Sequence, residues 1–251
     1  NVTYTESQTA GKTILNSTNT YTGSSTVENK AHLKIEGSIA TSSGLTVESG
    51  GTISGSSFEV TNKTPTTTFT GGTFEAVASN TYAKSFVSGT GGATIDNKAY
   101  SPTMSGVFSG AGGLTFSNSG SGGKTTLSST NTYTGATTVG NGAHLKVTGS
   151  IANSSGLTIQ SGGILSGSAL ISTSKLPTTT FTGGTLEIDS SDTYQKSFVS
   201  GSGGTNLDSN SYTTTLSGDI SGSGGLSISN SGSGGKTTLS STNTYTGATT
   251  V

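Results

Sequence analysis

Two histidines are the residues of this chain best suited to acid–base chemistry. His32 and His144 each lie between an alanine and a leucine, at the start of similar segments. A histidine that acts as a general base needs an orienting group and a substrate pocket. The neighbouring Glu36 is replaced by Thr148 in the second stretch. The sequence therefore favours two surface or corner histidines without a catalytic role.

The carboxylates are sparse, and few of them recur. Glu75 is matched by Glu187 and Asp96 by Asp208, whereas most other acidic residues have no counterpart, and the chain has no arginine. Polysaccharide lyases and hydrolases need clustered carboxylates, for a metal or as an acid–base pair. The segment 189–192 offers too few oxygen ligands for calcium. We therefore predict no catalytic residue, no metal, no cofactor and no enzymatic activity.

Four aromatic residues offer a different kind of chemistry, the stacking of rings against sugars. Tyr82, Phe86, Tyr194 and Phe198 form two matched pairs. Tyr82 and Tyr194 are the candidate ligand-facing aromatics, because a tyrosine combines an apolar ring with a polar tip. For Phe86 and Phe198 the sequence favours buried stacking.

Threonine-rich strands are the other surface feature. Segments 66–70 and 178–182 place threonine at alternate positions, as ice-binding β-solenoids do on a flat face. Such a face needs threonines on successive coils, and these two segments are far apart in the sequence. Threonine is a good β-former, so solvated strands are the favoured interpretation.

A long internal repeat organises all of these residues. Residues 117–139 and 229–251 are identical, and residues 1–112 align without a gap to 113–224 with 66 identities. Repeats of this kind are typical of stacked architectures. We predict one continuous fragment, 1–251, made of units 1–112 and 113–224 and a partial unit 225–251.

Within each unit, short segments alternate apolar and polar residues. Residues 33–35, 45–47, 145–147 and 157–159 show this period of two, and glycine-rich turns separate them. The pattern indicates strands with one buried face. Because glycine, serine and threonine supply 136 of 251 residues, a sandwich of separate domains lacks the bulky residues for two facing sheets. We therefore predict an all-β, right-handed parallel β-helix, a β-solenoid with coils of roughly 20 residues, and a sandwich is the less favoured alternative.

One segment carries a family resemblance. Residues 127–139, LSSTNTYTGATTV, resemble the autotransporter-associated β-strand repeat of bacterial type V secreted proteins, and the NTYTG core occurs three times. The matching residues are Asn19, Tyr21, Gly23, Asn131, Tyr133, Gly135, Asn243, Tyr245 and Gly247. The resemblance implies a passenger domain on the outer surface of a Gram-negative bacterium, or released from it.

Composition limits the partners. The formal net charge of -1 gives no basic surface for nucleic acid, and no segment is apolar enough to span a membrane. Repetition of similar units favours a structural, rod-like stalk or fibre segment. The alternative is an adhesin whose repeated face binds glycans, neighbouring cells or itself. Self-association end to end or side by side is a further expectation, because an open sheet edge can pair with another chain.

Overall fold

The structure is a computed structural model that describes residues 1–5 and 11–251. These residues form 29 short strands and two 3₁₀ turns, Ser56–Glu59 and Ser168–Ile171. The strands are β1 (Val2–Tyr4), β2 (Thr13–Leu15), β3 (Ser25–Val27), β4 (His32–Ile35), β5 (Leu45–Glu48), β6 (Thr52–Ser54), β7 (Thr67–Thr70), β8 (Thr73–Glu75), β9 (Thr81–Tyr82), β10 (Phe86–Ser88), β11 (Ala93–Asp96), β12 (Thr103–Met104), β13 (Phe108–Ser109), β14 (Leu114–Ser117), β15 (Thr125–Leu127), β16 (Thr137–Val139), β17 (His144–Val147), β18 (Leu157–Gln160), β19 (Ile164–Ser166), β20 (Thr179–Thr182), β21 (Thr185–Glu187), β22 (Thr193–Tyr194), β23 (Phe198–Ser200), β24 (Thr205–Asp208), β25 (Thr213–Leu216), β26 (Ile220–Ser221), β27 (Leu226–Ser229), β28 (Lys236–Leu239) and β29 (Thr249–Thr250).

The strands stack into parallel sheets that run along one axis. The largest sheet has eleven strands, in the order β2-β4-β6-β8-β11-β14-β16-β18-β20-β23-β26, and three others have six, nine and three strands. The sequence separation between paired strands varies slightly from coil to coil: Thr67 pairs with Phe86, and Leu114 pairs with Thr137. The chain therefore coils, and the prediction of a β-solenoid is confirmed, with about 12 turns.

Most strands turn alternate side chains inward, as the sequence pattern predicted. In β4, Leu33 and Ile35 are fully buried while His32 and Lys34 face outward. Aromatic rings stack from coil to coil: the ring centroids of Phe69 and Phe86 lie 5.5 Å apart. Edge-to-face pairs of this kind add to the stability gained by burial. Buried Phe86 and Phe198, each packed on neighbouring rings, confirm the predicted stacking.

The long repeat of the sequence is not a period of the fold. Strand β2 lies in the eleven-stranded sheet, but β15, which has the equivalent sequence, lies in the nine-stranded sheet. Likewise β3 belongs to the six-stranded sheet and its equivalent β16 to the eleven-stranded sheet. Two equivalent segments of successive units are therefore separated by about five coils along the axis, and they lie on different sheets. The structural repeat is the single coil, which corrects the prediction of a solenoid built from 112-residue units.

Corners between the sheets use glycine where the backbone requires it. Gly92 and Gly204, for example, have φ angles of 75° and 76°, a region that favours glycine. No helix within the described residues is long and apolar enough to cross a membrane.

Candidate functional site

The asparagine of the NTYTG motif joins neighbouring coils. Asn131 is 2% exposed, and its Oδ1 accepts a hydrogen bond of 2.8 Å from the backbone N–H of Phe108. Its Nδ2 donates to the carbonyl oxygens of Ser129 and Ser150. Asn243 repeats the contact to the coil below, through the N–H of Ile220. The motif asparagine thus satisfies backbone groups that a corner would otherwise leave unpaired.

The motif tyrosine is a core residue with a hydroxyl network. Tyr133 is fully buried, and its Oη lies 2.6 Å from Oγ1 of Thr137, which in turn lies 2.9 Å from Oγ of Ser154. Burial raises the pKa of the Tyr133 phenol, so the hydroxyl stays protonated. Tyr21 and Tyr245 make the same local contact, to Ser25 and Thr249 respectively.

The motif glycine allows two coils to approach closely. A Cβ on Gly135 would lie 2.3 Å from the backbone of Gly112 and Gly113, and a Cβ on Gly247 would meet Gly225 in the same way. Gly23 faces Asn1 at a similar distance. The three copies of the motif therefore hold coils together, which is a structural role.

The two candidate ligand-facing tyrosines lie in the core. Tyr82 is 0% and Tyr194 is 2% exposed. The ring of Tyr82 packs edge-on against Phe74 with centroids 5.0 Å apart, and its hydroxyl accepts a hydrogen bond from the N–H of Val77. With so little exposed surface, neither tyrosine can stack on a sugar in this structure. Both tyrosines are buried because each points inward from a two-residue strand, and the sequence did not reveal this orientation.

The outward side chains of the nine-stranded sheet form a cluster around His144. Its Nε2 lies 2.8 Å from Oγ of Ser166 and 3.8 Å from Oε1 of Glu187. Lys146 and Asp189 form an ion pair of 2.9 Å beside it. Ser166 lies one coil after His144, and Glu187 lies two coils after His144. A search of the sequence for residues spaced by one or two coil lengths would therefore have found this group.

The cluster does not have the geometry of a nucleophilic triad. In such a triad the serine and the carboxylate contact different nitrogens of the imidazole. Here Ser166 and Glu187 approach the same nitrogen of His144, and Ser166 is 1% exposed. No group of three or more metal-ligating side chains occurs within residues 1–5 and 11–251.

Burial decides the charge state of the cluster. Desolvation is the largest cause that lowers the pKa of His144 to about 4; Lys124 and Lys146 lower it further and Asp189 opposes them. The ring is therefore neutral near pH 7, and its contact with Glu187 is not an ion pair there. Burial also raises the pKa of Glu187, while Lys124 favours its charged form.

A threonine ladder covers the outer face of the eleven-stranded sheet. One outward row carries threonine on seven successive coils: Thr52, Thr73, Thr94, Thr115, Thr138, Thr158 and Thr180. Within the described residues none of these seven hydroxyls has a protein hydrogen-bond partner. Threonines in equivalent positions of the long repeat do not reveal this row, because partners on neighbouring coils, such as Thr115 and Thr138, are much closer in sequence.

A groove borders the ladder at one corner. Its lining includes Gly71, Gly91, Gly92, Gly113, Thr94 and Thr115, around a volume of about 270 Å³. A second groove of about 250 Å³ occupies the equivalent corner of the nine-stranded sheet. There Asn206 and Ser227 stand in place of the two threonines. The described lining of both grooves has no charged side chain.

Comparisons with protein-family models, with curated proteins and with solved structures find no match for this chain.

Proposed function

We propose that this chain is a structural, rod-like segment of a bacterial cell-surface or secreted protein. The supporting observation is the continuous eleven-stranded parallel sheet, which extends from β2 to β26 without interruption. Each coil rests on the next through backbone ladders and buried side chains. Such a stack extends in one direction and holds its two ends apart, as a stalk or fibre requires.

The repeated chemistry of the corner motif supports the same role. In the central copy the asparagine and glycine contact backbone of a neighbouring coil, and the tyrosine fills the core. The motif thus serves coil stacking. The proposal includes a right-handed coil, because parallel crossover connections almost always have that hand.

The setting of the rod rests on the resemblance to autotransporter repeats. From it we infer a passenger domain outside a Gram-negative cell, without enzymatic activity. The adhesin alternative assumed one repeated face. Because equivalent segments lie on different sheets, the repeats do not build such a face, and we place the structural role first.

Electron microscopy of the purified 1–251 segment tests this proposal. At a strand spacing of about 4.8 Å, about 12 turns predict rods roughly 55–60 Å long. Sedimentation velocity on the same sample gives the mass of the particle. Discrete monomeric rods are expected; compact beads would overturn the proposal, and long fibres would show instead that the segment builds filaments by itself.

A further inference from the structure

The chain contains a single asparagine–glycine dipeptide, Asn141–Gly142, which lies at an exposed corner between β16 and β17. We propose that this corner is a site of spontaneous deamidation, at which Asn141 becomes isoaspartate or aspartate at a rate set by local opening of the corner. The modification needs neither an enzyme nor a bound ligand. It goes beyond the structural function proposed above, because it concerns the chemical lifetime of the rod.

The reaction balances with water as its co-reactant. The backbone nitrogen of Gly142 attacks Cγ of Asn141, the new C–N bond closes a succinimide ring, and the side-chain nitrogen leaves as ammonia with the amide proton of Gly142. Water then opens the ring at either carbonyl, which gives aspartate or isoaspartate. A glycine in the second position favours the attack, because it has no side chain to crowd the ring and it reaches many backbone conformations.

The folded corner restrains the attacking nitrogen. The N–H of Gly142 donates a hydrogen bond of 3.0 Å to the carbonyl oxygen of Gly162 on the next coil, and the N–H of Ala143 donates to the carbonyl oxygen of Gly140 at 3.1 Å. The Asn141 side chain packs against Gly162, where an added Cβ would collide with Oδ1. Because the Gly142 nitrogen loses its proton when the ring forms, the bond to Gly162 has to break. The folded chain should therefore react more slowly than the unfolded one.

The first unit contains a matched corner without the glycine. Asn29 is followed by Lys30, whose φ of 67° is close to the 73° of Gly142. The N–H of Lys30 bonds the carbonyl oxygen of Gly50 at 3.0 Å, as Gly142 bonds Gly162. Two corners of the same shape therefore differ in the residue whose nitrogen attacks. Deamidation should be slower at Asn29, because the lysine side chain hinders ring closure.

Isoaspartate should weaken the stack at this corner. It runs the main chain through Cβ and Cγ, so the backbone becomes longer by one carbon atom, whereas aspartate adds only a charge. The bond from Gly142 to Gly162 and the turn bond from Ala143 fix the length of the corner. A longer backbone must lose at least one of them. We therefore expect faster hydrogen exchange at the amides of Gly142 and Ala143 in the isoaspartate product.

Peptide mapping by mass spectrometry tests the proposal. The purified 1–251 segment is aged at mildly alkaline pH, with and without guanidinium chloride. Without denaturant, deamidation should be roughly tenfold or more faster at Asn141 than at Asn29, and denaturant should accelerate it at Asn141 by roughly tenfold or more. Equal rates at the two asparagines would overturn the proposal, as would an equal rate at Asn141 with and without denaturant.

Exchanging the second residues of the two corners isolates the role of the glycine. G142K introduces the residue that the first corner already accepts, and in denaturant it should slow deamidation of Asn141 to the rate of Asn29. K30G makes the reverse change and should accelerate deamidation of Asn29. Circular dichroism without denaturant checks that both variants fold, and unchanged rates in both would contradict the proposed chemistry.

The variant N141D separates the longer backbone from the added charge. Hydrogen exchange at Gly142 and Ala143 should be faster in the aged, isoaspartate-containing protein than in N141D. Equal exchange in the two samples would overturn the proposed effect of isoaspartate on the corner. Rods seen by microscopy would support the structural function in either case.

Discussion

At the scale of single residues, the side chains that the motif repeats act between coils. Asn131 bonds a backbone donor of the coil below and a carbonyl of the coil above, and Tyr133 ties its hydroxyl to Thr137. Buried polar groups of this kind are costly when they lose their partners. The contacts that the repeats have in common therefore hold neighbouring coils together.

His144 should make stability depend on pH. Its pKa of about 4 in the folded chain is below the ordinary value of 6.5, so the stability it contributes is present above pH 6.5 and is lost as the pH falls towards 4. The expected loss is roughly 1–3 kcal/mol. Glu187, whose pKa is raised, opposes part of this loss.

Denaturant unfolding between pH 7 and pH 4 measures this effect, with H144Q as the comparison. The difference in unfolding free energy between the two proteins should change across the window. A constant difference would show that the histidine does not titrate as its burial implies.

At the scale of elements, close contact between corners limits which residues the turns accept. Gly135 packs against the backbone of the coil below, where a Cβ would lie 2.3 Å from Gly112 and Gly113. A Cβ on Gly156, also at a corner, would come no closer than 3.9 Å to another part of the chain, the carbonyl oxygen of Thr178. Two glycines of the same chain are therefore under very different constraints.

The variant G135A should destabilise the protein by about 1–3 kcal/mol, because the coils must separate to admit the methyl group. The matched variant G156A should change the free energy of unfolding by less than half of that amount. Chemical denaturation followed by circular dichroism measures both. Equal effects would mean that the close approach at Gly135 does not limit stacking.

At the scale of the whole molecule, the coil and not the long sequence unit is the increment of stability. Each coil contacts its neighbours through parallel ladders, and the sheets continue across the unit boundaries. Solenoids of this kind have a stability that sums over neighbouring repeats. Each sequence unit is displaced around the axis by one sheet relative to the unit before it, so equivalent segments lie on different sheets.

Fragments that end at successive coil boundaries test this view. The unfolding free energy should fall gradually as coils are removed from residue 251 towards residue 150, with no step at residue 224. Retained β-structure by circular dichroism is the control for folding. An abrupt loss at the unit boundary would restore the unit as the cooperative element.

The sequence by itself determined the solenoid, the approximate coil length and the inward rows. Alternating segments such as 33–35, the glycine turns and the scarcity of bulky residues were sufficient, because these features act locally or through composition. It also predicted that Phe86 and Phe198 stack in the core. The autotransporter setting stays a prediction.

Only the tertiary structure decided which residues share a face. The seven threonines of the ladder, and His144 with Ser166 and Glu187, meet through the register between coils of unequal length. A small change in the length of one coil moves every later contact, so a long sequence repeat could place its copies on one sheet or on several. The physical reason is that a strand's direction is local, whereas its neighbours depend on every turn between them.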